Sequence, residues 1–63
     1  MQISLKAARV NKDITQEEFA KAVGVNRKTV ASWELGKTKP NTDKIDQICN
    51  VLNVRYDDLD WSR

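Results

Sequence analysis

At 63 residues, with 40% hydrophobic side chains, two glycines and one proline, the chain has the composition of one small folded domain, near the lower size at which a core holds without a staple. Histidine is absent and Cys49 is the only cysteine, so a disulfide framework and a Cys/His zinc site are excluded within one chain, and no apolar run approaches the roughly 18 residues that would span a bilayer. The net charge of +2 is unevenly spread: residues 1–39 carry eight Lys/Arg against four Asp/Glu, and residues 40–63 carry three against five.

The first predicted helix covers Ile3 to Asn11, with Leu5, Ala8 and Arg9 on neighbouring faces. A complete start signal follows at Ile14-Thr15-Gln16-Glu17-Glu18-Phe19. Thr15 can cap the Glu18 amide while Glu18 reaches back to Thr15, and Ile14 can staple onto Phe19. This second helix should run through Ala20 and Val23 and stop at Gly24, where a left-handed residue costs little. Only Val25 and Asn26 intervene before the third helix. Asn26 is a good N-cap, and Val25 and Val30 are placed as a second staple. Two helices joined by so short a turn must cross steeply, which defines a helix-turn-helix unit.

The third helix, Arg27 to about Leu35, ends at Gly36. Wound at 100° per residue, it sets Val30 and Trp33 on one face and Arg27, Lys28, Ala31 and Ser32 on the other. Trp33, in phase with Val30, belongs to the core. Asn41 caps a fourth helix in which Ile45, Ile48, Cys49 and Leu52 recur at i, i+3, i+4 and i+7. Cys49 on that face is a small core filler before it is a reactive thiol. Asn53 stops the helix, and Tyr56 to Asp60 form one last short helix. No stretch alternates with period two. The expectation is an all-α bundle of four or five short helices over residues 1–63, a single domain with a helix-turn-helix inside it.

Gln16-Glu17-Glu18-Phe19-Ala20, then Gly24-Val25, then Trp33-Glu34-Leu35-Gly36-Lys37 resemble the phage repressor/Cro type (XRE-like) of helix-turn-helix DNA-binding protein. The resemblance runs from Leu5 to about Leu59 and implies a five-helix, lambda repressor-like bundle that binds palindromic operator DNA, commonly as a symmetric dimer. It implies that Gln16 contacts a phosphate and buttresses the recognition helix. Arg27, Lys28 and Ser32 match the positions that reach base edges. Lys37, Thr38 and Lys39 match the loop that holds the duplex backbone, and Asn26 is counted with them. Arg9 and Glu34 match a salt bridge between the first and third helices. Asp13 stands where the family usually has glycine, Leu35 where a polar residue is common, and Arg55 where a small N-cap precedes the last helix.

The chemistry of the residues leads the same way. The major groove admits an α-helix, and its base edges distinguish all four pairs. Arg27 and Lys28 are donors suited to guanine O6 and N7, Ala31 offers a methyl-sized surface to thymine, and Ser32 can donate or accept. An enzyme is not expected, since there is no histidine, metal-ligand cluster or Gly-rich phosphate loop. No cofactor and no small-molecule ligand is implied. The alternative is an antitoxin or adaptor-type protein-interaction module on the same fold. Tyr56, Leu59 and Trp61 are the expected dimer contact, weak in free solution and formed on DNA. With no signal peptide or membrane span, a cytoplasmic location is expected.

Overall fold

The computed structural model describes residues 2–61. Within them the chain folds as α1 (Leu5–Asn11), α2 (Gln16–Val23), α3 (Arg27–Leu35), α4 (Thr42–Leu52) and a 3₁₀ turn, Tyr56–Asp58. This is the all-α bundle expected. Each α-helix begins where a short polar side chain takes up an orphan backbone amide. Ser4 accepts from Ala7 N, Asn26 from Thr29 N and Asn41 from Lys44 N. The Thr15/Glu18 box is reciprocal, at 3.0 and 2.8 Å.

Helix ends follow the left-handed residues. Gly24 and Gly36 have φ of 77° and 78°. A Cβ on Gly24 would meet nothing nearer than Lys44 Nζ at 3.6 Å, so the backbone angle, not space, is what demands glycine there. Asn53 closes α4 at φ 55°, and Asp13 turns the chain between α1 and α2 at φ 60°. Asp13 thus takes up the conformation a glycine would, which a short polar side chain tolerates.

Leu5, Ala8, Phe19, Ala20, Val23, Val30, Trp33, Ile48, Leu52 and Leu59 form the core, with Ile14, Val25 and Trp61 packed at its margin. Cys49 is half-buried on α4, and burial, helped by the Asp46 and Asp58 carboxylates, raises its thiol pKa. The thiol is therefore less ready to ionise than a free cysteine.

Three expectations are corrected. The first helix starts at Leu5, not Ile3, because Ile3 is drawn into a parallel bridge with Leu59: Ile3 N donates to Asp58 O and Asp60 N to Ile3 O. The last helix is one 3₁₀ turn ending at Asp58. Arg55 supplies no side-chain cap, but its N–H donates to Asp58 Oδ2 at 2.9 Å. Leu59, expected at a dimer surface, is only 1% exposed and lies in the core. The bridge to Ile3 pairs the tail with the segment before α1, and the buried Leu59 side chain has no free surface to offer a partner. No helix among the described residues is long and apolar enough to cross a membrane.

Candidate DNA-binding site

The site begins with the orientation of α3. Its inner face is anchored by Val30, fully buried, and by Trp33. Its outer face then has to carry Arg27 and Lys28, both exposed, beside Ala31 and Ser32, both half-buried. The helix starts one residue after Asn26, whose Oδ1 accepts from both the Thr29 amide and the Thr29 hydroxyl. The cap occupies the Asn26 carbonyl oxygen, so a contact with an anion would fall to its amide nitrogen. Beyond Gly36, Lys37, Thr38 and Lys39 stand exposed in the loop. Leu35 is 62% exposed beside that loop.

Behind the outer face lies a polar cluster. Arg9 Nε donates to Glu34 Oε2 at 2.7 Å, and the two side chains are only 10% and 4% exposed. Arg9 Nη2 reaches Glu34 Oε1 at 3.4 Å, and Nη1 donates to the Ile14 carbonyl at 2.7 Å. One arginine therefore ties α1, the turn before α2 and the end of α3 together. Gln16 joins the cluster from the start of α2: its Nε2 donates to Glu34 Oε1 at 2.9 Å, and its Oε1 accepts from Arg27 Nη1 at 3.4 Å. No buried side-chain nitrogen or oxygen among the described residues lacks a partner. That is the condition under which a buried ion pair is tolerated.

Lys6, Arg9, Thr15, Gln16, Glu17 and Arg27 line an open depression beside the start of α2. Glu17 also faces Lys21 one turn on, at 3.9 Å and highly exposed, a pair that contributes little to stability.

Two interactions made by long cations are among those that escaped the sequence reading. Lys44 Nζ donates to Val23 O at 2.8 Å, tying α4 to the end of α2 where the tight turn begins. Arg9 also holds the Ile14 carbonyl. In neither case did spacing give a signal, since long cations meet carbonyls wherever the fold brings them. Of the expected dimer residues, Tyr56 is 54% exposed, while Trp61 is half-buried. Their rings stack with centroids 5.6 Å apart, and Trp61 Nε1 donates to Tyr56 O.

A sharply turned helix pair, capped at both starts and presenting a basic outer face, is the DNA-binding helix-turn-helix arrangement. The chain belongs to the XRE-like helix-turn-helix family, whose family description, Helix-turn-helix, matches residues 5–59. It is 39% identical over 56 residues to Antitoxin PezA of Streptococcus pneumoniae, covering 89% of this chain and 35% of that protein. It is 39% identical over 59 residues to an uncharacterised HTH-type transcriptional regulator of Archaeoglobus fulgidus, covering 94% of this chain and 84% of that one. With the HTH-type transcriptional activator BcrR of Enterococcus faecalis it shares 34% identity over 55 residues, covering 87% of this chain and 27% of the activator. The chain thus spans about a third or less of the antitoxin and the activator, and most of the archaeal protein. No solved structure matches the chain significantly.

Proposed function

We propose that this chain is a sequence-specific double-stranded DNA-binding transcriptional regulator that inserts α3 into the major groove of a palindromic operator and acts as a repressor. The observation that carries the reading is the orientation of α3. Val30 and Trp33 are committed to the core, which leaves Arg27 and Lys28 on the outer face at the N-terminal end of the helix, the end that reaches deepest into the groove. Arg27, Lys28, Ala31 and Ser32 read base edges. Gln16, Asn26, Lys37, Thr38 and Lys39 hold the backbone. Similarity to proteins named as transcriptional regulators supports the regulatory part.

Selecting bound sequences from a random duplex pool tests this reading and gives the half-site. Affinity should fall steeply with salt, because the loop lysines displace counterions from phosphates. Lys39→Ala should weaken binding to all duplexes about equally and flatten the salt dependence. Salt-independent binding, or no selected duplex at all, overturns the proposal.

If Arg27 and Lys28 read bases, alanine at either should cost about 1–3 kcal/mol on the selected site and relax preference at one base pair. Competition with duplexes altered one pair at a time measures this. A loss spread evenly over all of them reassigns the residue to phosphate contact.

The longest dimension of the domain is 28 Å, less than one turn of B-DNA, so one copy places one helix in one major groove segment. A symmetric pair doubles the readout, with half-site centres about 10 base pairs apart. With Leu59 in the core, the stacked Tyr56 and Trp61 are what the tail offers to such a pair. Trp61→Ala should abolish cooperative footprinting of the two half-sites, and parent-like cooperativity removes the tail from the contact. The antitoxin or adaptor alternative would be served by a broad apolar surface. The large exposed apolar residues, Val10, Leu35 and Tyr56, stand instead on three different elements.

A further inference from the structure

Hydrogen bonds run without a break from the buried ion pair to the outer face of α3. Arg9 donates to Glu34, Gln16 Nε2 donates to Glu34 Oε1 at 2.9 Å, and Arg27 Nη1 donates to Gln16 Oε1 at 3.4 Å. Arginine can only donate and a carboxylate can only accept, but an amide turned by 180° presents donors where it presented an acceptor. Which end of Gln16 faces Arg27 is therefore decided by what its other end meets. It meets Glu34, a carboxylate 4% exposed and already held by Arg9, which admits only the NH₂.

We propose that Glu34, besides pairing with Arg9, is a positioning residue for base recognition: it fixes the Gln16 amide with its carbonyl toward α3 and so orients Arg27 before DNA arrives. The inference rests on the reading of Arg27 as a base contact given above. An arginine already held in place has less rotamer freedom to lose on binding, and its guanidinium meets the groove in one orientation rather than many. Discrimination at the base pair read by Arg27 then depends on a carboxylate that never touches DNA.

The isosteric change Glu34→Gln reverses the series. Arg9 Nε donates to Oε2 at 2.7 Å, while its Nη2 lies 3.4 Å from the Oε1 that Gln16 also meets, so the new amide keeps its oxygen at the shorter Nε contact and turns its NH₂ to Gln16, with Nη2 drawing back. Gln16 must then flip to accept, turning its own NH₂ toward Arg27, donor against donor. Adding Gln16→Glu removes the conflict, because a carboxylate at position 16 accepts from both sides.

The test is competition binding of the full chain to a duplex selected from a random pool and to its single-pair variants. Arg27→Ala first identifies the base pair that depends on Arg27. Glu34→Gln is expected to reduce discrimination at that pair by about 2- to 10-fold, the equivalent of one net hydrogen bond, and to leave the other pairs unchanged. The double change Glu34→Gln with Gln16→Glu should restore it, and Glu34→Gln in the Arg27→Ala background should add no further loss there. Should Glu34→Gln be too unstable to assay, Gln16→Leu leaves the Arg9–Glu34 pair intact, and a loss of discrimination at the Arg27 pair, over and above the uniform loss from its phosphate contact, is the expected result. Unchanged discrimination at the Arg27 base pair in the variant assayed, with or without a loss common to all duplexes, overturns the inference and leaves the base-reading assignment standing. If Arg27→Ala alters no base preference, that assignment falls and the inference falls with it.

Discussion

Replacing Glu34 by alanine is expected to cost about 3–5 kcal/mol of stability, because it leaves a buried guanidinium without its counter-charge. The Arg9 side chain is 10% exposed and the Glu34 side chain 4%, so water cannot take over the lost contact without opening the bundle. Arg9 would keep the Ile14 carbonyl, and Gln16 Nε2 would lose its acceptor as well. Against a total of about 5 kcal/mol for a domain of this size, such a loss leaves only about 0–2 kcal/mol, enough at its upper end to unfold about half of the molecules at 25 °C. A thermal melt reads it directly, since each kcal/mol shifts the midpoint of so small a domain by about 4–8 °C. A Glu34→Ala melt that overlays the parent would show the pair to be expendable. Glu34→Gln also removes the counter-charge, but it keeps the volume and leaves one oxygen for Arg9, so its loss should be the smaller of the two, which makes it the informative variant for DNA discrimination.

Leu59→Ala is expected to destabilise the domain by about 2–5 kcal/mol, the range for truncating a buried leucine. Leu59 is 1% exposed and belongs to the same core as Phe19, Ile48 and Leu52. It is held there by backbone as well as packing, since Ile3 bonds to both of its neighbours, Asp58 and Asp60. The tail therefore closes the bundle and also ties its two ends together. Denaturant unfolding of Leu59→Ala should show a lower midpoint that does not change with protein concentration. Parent-like stability combined with lost self-association would instead assign Leu59 to an interface between copies.

Much of the fold was legible in the chain because it is written in local chemistry. Thr15 with Glu18, Asn26 and Asn41 start helices by bonding amides three residues away, and Gly24 and Gly36 end them by adopting φ near 77°. Such signals act within one helical turn, so spacing alone locates α2, α3 and α4, and the apolar phase of Val30 with Trp33 shows which side of α3 faces outward. The same locality explains the misplacements. Ile3 and Leu59 are 56 positions apart, and nothing near either one announces a bridge between them. A leucine two residues before a tryptophan in an acidic tail looks like an exposed patch until the tail is seen paired with Ile3.

The sequence by itself determined the helices, their order, the tight turn between α2 and α3, and the basic outer face of α3. All of these follow from capping, left-handed stops and apolar periodicity within short windows. Only the tertiary structure decided that Leu59 is core, that Lys44 clamps the end of α2 and that Gln16 stands between Glu34 and Arg27. Each of those joins residues from different elements, and a hydrogen bond or a packed contact exists only where the whole bundle brings its partners within a few ångströms. Chain proximity puts the donor of Gln16 one residue past its cap. The buried carboxylate of α3 decides which way its amide faces.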